Sequence, residues 1–135
     1  MKRNSFYLVH IPFILYFLIL TILLVMPSQR LPEVFEVSDK IKHYFAFLVF
    51  TFLFSASCHF RKKENIKIKT IFFTVGLIAV IYGGITEIIQ TFVPGRSGDI
   101  YDLSLNILGS LSGIYLFFLF LKFSKLKFEK IGTKS

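Results

Sequence analysis

The chain has no tryptophan, one cysteine, and only eight acidic residues against sixteen lysines and arginines in 135. A lone Cys58 excludes an intrachain disulfide and gives no cysteine spacing for a metal, so the staples of small secreted domains are missing. Charged residues of either sign are few, 18% of the chain, whereas 54% of it is hydrophobic and eighteen residues are phenylalanine. A net charge of +8 would suit nucleic acid, but the basic residues lie in short clusters beside apolar runs, as topology signals do, and not along one helix face. Nucleic acid is therefore excluded as a partner.

What the chain does have is apolar length. A spanning helix needs about 20 predominantly apolar residues, and four such runs lie at approximately 5–26, 40–60, 70–93 and 100–122. They occupy most of the sequence and leave no room for a separate soluble core, so residues 1–135 are expected to form one all-α, polytopic membrane domain with four transmembrane helices. The first run exceeds the roughly 7–15 apolar residues of a signal peptide and no small-residue cleavage site follows it, so it is expected to be a retained span. His10 and Pro12 fall near its start, where proline is tolerable, and His10 is read as interfacial. Gly109 and Gly113 form a G-x-x-x-G spacing, which predicts a close helix contact, within one chain or between two; a homo-oligomer is thus an open alternative. Residues 124–135 are expected to be a short basic tail, frayed or lying on the membrane surface.

The placement of charge predicts an orientation. Lys2, Arg3, the loop cluster Arg61, Lys62, Lys63, Lys67 and Lys69, and Lys122, Lys125, Lys127, Lys130 and Lys134 all fall on one side, against Arg30, Lys40, Lys42 and Arg96 on the other. Cytoplasmic loops carry the basic excess, so both termini are expected on the cytoplasmic side of the membrane. Six of the eight acidic residues, Glu33, Glu36, Asp39, Glu87, Asp99 and Asp102, then lie in or near the outer side.

A polar constellation emerges at that outer end. Asp39 and His43 are spaced i and i+4, Glu87 and Gln90 i and i+3, and Asp99, Asp102 and Asn106 i, i+3 and i+7, so each of three helices offers one polar stripe. Counting back from Pro94, Glu87 is expected about 10 Å below the outer end of its helix. A carboxylate among membrane-length apolar residues is costly and often marks function. Bland roles compete with that view: Ser38 or Asp39 suits an N-cap, Asp99 can cap the fourth helix, Asp102 can favour its first turn, and Pro94-Gly95 suits a tight turn with Gly at positive φ. His43, Glu87 and Asn106 lie too deep for capping.

Three functional readings follow from these residue types. The loop Pro94–Gly98 leads into a helix N-terminus that favours an anion, with Arg96 able to grip phosphate by two prongs, and Lys40 nearby. This makes the anionic headgroups of membrane lipids the expected partner, with Asp39, Lys40, Gln90, Arg96, Asp99 and Asn106 as binding residues. His43 held by Asp39 could serve as general base, with Glu87 and Asp102 as further catalytic candidates. A metal held by His43, Glu87 and Asp102 lacks a ligand-spacing motif, so neither metal nor cofactor is expected. A Glu87 proton relay is the weaker reading, because four helices are few for alternating access.

The pattern Asp39-Lys40-x-x-His43-x-x-Ala46-Phe47, followed by Gly84-x-x-Glu87-x-x-Gln90-x-Phe92-x-Pro94-Gly95-Arg96-x-x-Asp99-x-x-Asp102-x-x-x-Asn106-x-x-Gly109, resembles the VanZ-like family of small bacterial membrane proteins. The resemblance covers roughly residues 38–113, while the first helix matches only in character. It implies a bacterial cell-envelope protein, placed in the cytoplasmic membrane, and adds a lipid-linked cell-wall precursor to the expected partners. The family takes its name from a protein linked to low-level teicoplanin resistance, so an effect on glycopeptide susceptibility is implied as well. An enzyme acting on an envelope lipid, and a structural or partner-binding membrane protein, are the alternatives.

Overall fold

The computed structural model describes the backbone of residues 3–27, 39–60 and 67–132, and the side chains of residues 7–27, 40–60 and 67–124. Four helices account for nearly all of it: α1 (Arg3–Val25), α2 (Asp39–His59), α3 (Ile68–Gln90) and α4 (Ile100–Gly132). Each contains a stretch of 19 to 25 residues apolar enough to cross a membrane, and no strand occurs among the described residues. The outer surface agrees with a lipid environment: Leu8, Phe73 and Phe92 are 74%, 71% and 82% exposed, a loss that water would not tolerate over so much surface. The protein is a multi-pass membrane protein with an all-helical fold.

Two boundaries differ from what the apolar pattern predicts. Helix α4 continues through Gly132, its apolar part ending at Ser124, because Lys125, Lys127, Glu129 and Lys130 are good helix formers even where they are not apolar. Helix α3 stops at Gln90, three residues early. Pro94 biases Val93 away from the helical region, and the chain tightens before it into i to i−3 bonds from Thr91 N to Ile88 O (3.2 Å), Phe92 N to Ile89 O (2.9 Å) and Val93 N to Gln90 O (3.1 Å).

The widest helix contact joins α2 and α4. Lipid gives apolar faces no reason to associate, so close approach and hydrogen bonds must do it. Gly109 lies against the Tyr44 carbonyl and Gly113 against the Leu48 carbonyl and Thr51 Oγ1, leaving no room for a Cβ at either position. The G-x-x-x-G contact is therefore made inside one chain. Thr51 Oγ1 lies 3.0 Å from the Ser110 carbonyl, and Tyr44 donates to Ser112 Oγ at 2.9 Å, fastening the same pair of helices.

Helix α1 leans on α2 and α3 through aromatics. Phe13 stacks on Phe54 at 4.9 Å and 9°, and Phe17 meets Tyr82 at 5.3 Å. Tyr16 donates to the Ala46 carbonyl at 2.9 Å, and the Thr21 and Tyr82 hydroxyls are 2.9 Å apart. His10 is half-buried and bonded to Ser57 Oγ, so it joins α1 to α2. This apolar midsection closes the bundle beneath one end, where the polar residues gather.

Candidate functional site

The turn after α3 carries α4 back across its own last helical turn. Gly95 supplies the positive φ of 75° that the sequence led us to expect, and Arg96 N bonds to the Val93 carbonyl at 3.0 Å. Gly98 then passes so near α3 that a Cβ there would lie 2.6 Å from the Glu87 carbonyl oxygen and 2.8 Å from Thr91 Cγ2. That approach lets Asp99 N–H donate to Glu87 Oε2 at 3.2 Å. Asp99 also caps α4: its Oδ1 accepts from Tyr101 N at 2.9 Å and its carbonyl from Asp102 N and Leu103 N, both at 3.1 Å.

Because α3 ends at Gln90, Glu87 stands three residues from its end, about 4.5 Å down at the usual helical rise and not the expected depth. The carboxylate is nonetheless buried, 7% exposed as a residue, and both of its oxygens accept: Oε2 from Asp99 N and Oε1 from Asn106 Nδ2 at 3.2 Å. Since Glu87 accepts from the Asn106 amide nitrogen, Asn106 must offer its Oδ1 to the other neighbour, His43 Nδ1, at 3.1 Å. His43 Nδ1 also lies 3.7 Å from Glu87 Oε1. The chain of donors fixes the ring: Nδ1 carries hydrogen, so in the neutral imidazole Nε2 is the acceptor.

His43 Nε2 faces Asp102 Oδ2 at 4.0 Å, beyond hydrogen-bonding distance. Asp102 Oδ1 is buried and, among the described residues, has no hydrogen-bond partner. One side of the imidazole is thus fully engaged and the other meets a carboxylate without touching it. Phe47, entirely buried, forms the floor with Gly83, where a Cβ would come within 3.3 Å of the Phe47 ring and 3.5 Å of Asn106 Cβ.

His43, Glu87, Asp102 and Asn106 therefore converge from α2, α3 and α4, with the Asp99 backbone completing the network. The other candidates do other things. Gln90, almost completely buried, donates to the Leu24 carbonyl at 2.9 Å and ties α3 to the end of α1. Arg96 lies over the same helix end, Nε 3.4 Å from the Met26 carbonyl and one terminal nitrogen 3.3 Å from that of Leu23, where a cation suits the helix dipole. Lys40 is exposed, its Nζ 5.0 Å from the Tyr101 ring centre. Asp39 begins α2, but its side chain lies outside the described residues, as do Ser38 and the basic loop 61–66. Among the described residues no three His, Cys, Asp or Glu side chains are arranged to hold a metal ion.

Gly98 is the residue that pattern reading passed over. The loop Pro94–Gly98 is expected to lead into an anion-favouring helix N-terminus, whereas the lack of a side chain at Gly98 is what seats Asp99 N on Glu87. Its position directly before the cap residue was the available signal. Gly98→Ala is expected to leave helix content unchanged by circular dichroism while loosening Glu87, seen as faster hydrogen exchange at the Asp99 amide. Unchanged exchange there would mean that the loop absorbs the methyl without moving.

A family model described as VanZ/LLP1 matches residues 13–121. The match begins inside α1 and so takes in more of the first helix than the motif residues do. No curated protein matches the chain, and no solved structure does.

Proposed function

The chain belongs to the VanZ/LLP1 family, and on that footing we propose that it is a cell-envelope protein of the bacterial cytoplasmic membrane whose polar site receives the headgroup of a phosphate-bearing lipid or lipid-linked cell-wall precursor. The observation that carries this reading is the half-satisfied imidazole. His43 is locked on its Nδ1 side by Asn106, and among the described residues its Nε2 and Asp102 Oδ1 have no hydrogen-bond partner. Unmet polar capacity of this kind, held on rigid helices among apolar residues, suits recognition of a polar group carried by a lipid. Lys40 and Arg96 stand at the same end of the bundle and supply positive charge for a phosphate.

The acidic network modifies how phosphate would be held. The amide of Asp99 is already taken by Glu87 and that of Tyr101 by Asp99 itself, so the start of α4 is largely satisfied from within. In this reading phosphate is met by the two cations, and the buried cluster meets an adjoining part of the headgroup. A catalytic variant has its own support in the fixed ring: an oriented His43 with an acceptor at Nε2 is placed as a general base, with Asp102 beside it to stabilise the imidazolium. Product formation from labelled envelope lipids separates turnover from binding.

Native mass spectrometry of gently purified protein is expected to show a specific phosphate-bearing lipid on the wild type and its loss from Glu87→Gln, since a neutral amide cannot accept at both positions that Glu87 now serves. A mutant that is equally folded and retains the same lipid would remove the site from the proposal. By the family's link to teicoplanin, the cellular readout is glycopeptide susceptibility, compared between cells complemented with wild type and with Glu87→Gln.

The placement of basic residues supports a site that faces outward, with both termini cytoplasmic. A reporter fused after Ser135 is expected to be active only in the cytoplasm; activity on the far side would put the polar site on the inner face.

A further inference from the structure

We propose that the group received between His43 and Asp102 is a free hydroxyl of the lipid headgroup, so that the preferred ligand is a phosphodiester lipid carrying an alcohol beside its phosphate. The proposal rests on the headgroup reading above and names what the buried end of the site selects.

The argument begins with hydrogen-bond complementarity. With Nδ1–H committed to Asn106 Oδ1, a neutral His43 presents a lone pair at Nε2, and Asp102 presents carboxylate oxygens. Two acceptors facing each other at 4.0 Å need a hydrogen-bearing group between them. If His43 is instead protonated, Nε2 becomes a donor and the intervening group must accept from it while donating to Asp102. A phosphate ester oxygen only accepts, so it can answer the imidazolium but never Asp102; an ammonium only donates, so it answers two acceptors but not the imidazolium. A hydroxyl, with one hydrogen and two lone pairs, makes both bonds when His43 is protonated and donates to one of the two acceptors when it is neutral.

Distance agrees with chemistry. An oxygen about 2.8 Å from both Nε2 and Asp102 Oδ2, the usual length of such bonds, would see the two at about 90°, compatible with the bent arrangement of partners around an alcohol oxygen. Approach from the Asp102 side is available, because that side chain keeps 14% of its surface exposed against 4% for His43. Lys40 and Arg96 at the same end leave the phosphate outside the acidic cluster, which a bare anion would not enter.

The test compares two lipids of equal charge in the full-length wild-type protein: phosphatidylglycerol, with free hydroxyls, and phosphatidylmethanol, with the same phosphodiester and none. Both are supplied at equal amounts in mixed phosphatidylcholine nanodiscs, and the lipid retained is read by native mass spectrometry. Phosphatidylglycerol is expected to be retained on the order of tenfold better, the worth of one hydrogen bond to a charged group, and Asp102→Ala is expected to abolish that preference. Equal retention of the two lipids, both lost in Glu87→Gln, would overturn the hydroxyl assignment and leave the headgroup site standing, with water as the bridging group. Retention of neither lipid above the Glu87→Gln level would overturn both. Because the central comparison is made in the wild type, a poorly folding variant cannot obscure it.

Discussion

Gly113→Val is expected to dismantle the bundle. At Gly113 the backbone of α4 meets the Leu48 carbonyl and Thr51 Oγ1 of α2, and one turn earlier Gly109 meets the Tyr44 carbonyl. The atoms in the way are mostly main chain, which cannot rotate aside as the end of a long side chain would. Valine must therefore push α4 outward, giving up the Thr51 contact with the Ser110 carbonyl and the dispersion energy of the widest interface in the fold. Overpacking typically costs about 1–3 kcal/mol and more where relief is blocked, as it is here. Thermal unfolding in detergent, followed by helical circular dichroism and by fluorescence-detected size exclusion, should show a large fall in the midpoint. Gly84→Ala is the matched control: nothing lies within 4 Å of a Cβ there, so the midpoint should stay or rise slightly. Equal midpoints for the two variants would mean that α2 and α4 do not meet through these glycines in the membrane.

Asn106→Leu is expected to destroy the site by a different route. Among the described residues, Asn106 is the one that hydrogen-bonds to both His43 and Glu87, and it does so with opposite ends of its amide. Leucine nearly matches it in size, so the space stays filled while two buried groups lose their partner. Hydrogen bonds to charged groups are worth about 1.5–3 kcal/mol each, and orphaning a buried donor or acceptor costs its full desolvation. Both the unfolding midpoint and lipid retention should fall. Asn106→Asp discriminates the cause: it restores an acceptor for His43 but sets a second carboxylate against Glu87, so stability should remain low although the shape is kept. If Asn106→Leu retained lipid as well as the wild type, the tautomer of His43 would not matter to binding and the amide would be only a packing element.

Much of the candidate site could be read from spacing. Glu87, His43, Asp102 and Asn106 stood out because polar residues recurred at helical intervals at the same end of three apolar runs, and membrane segments tolerate such residues poorly without a reason. Spacing could not tell which of the striped residues meet. Gln90 follows Glu87 by three positions, yet it reaches the Leu24 carbonyl of α1, and Arg96 turns to the same helix end although its loop looked like a phosphate grip. Both depend on where the end of α1 packs, which no local pattern encodes. The depth of Glu87 was overestimated for a local reason: Pro94 acts on the residues before it, and the helix ends a turn sooner than apolar composition suggests.

By itself the sequence determined the class of the protein. Length of apolar runs, the scarcity of charge and the distribution of lysine and arginine require a helical membrane bundle, since a chain in lipid must satisfy its backbone within each segment. It also determined the ends of the polar stripes, because helical periodicity is a property of consecutive residues. Only the tertiary structure decided the pairings. Three things came from helices meeting: that Gly109 and Gly113 are spent on α2, that Gly98 seats the Asp99 amide on Glu87, and that Asn106 sets the hydrogen on His43. Which atom of a polar side chain finds which partner is fixed at distances near 3 Å, and those distances exist only once three helices, separated in sequence by tens of residues, have packed.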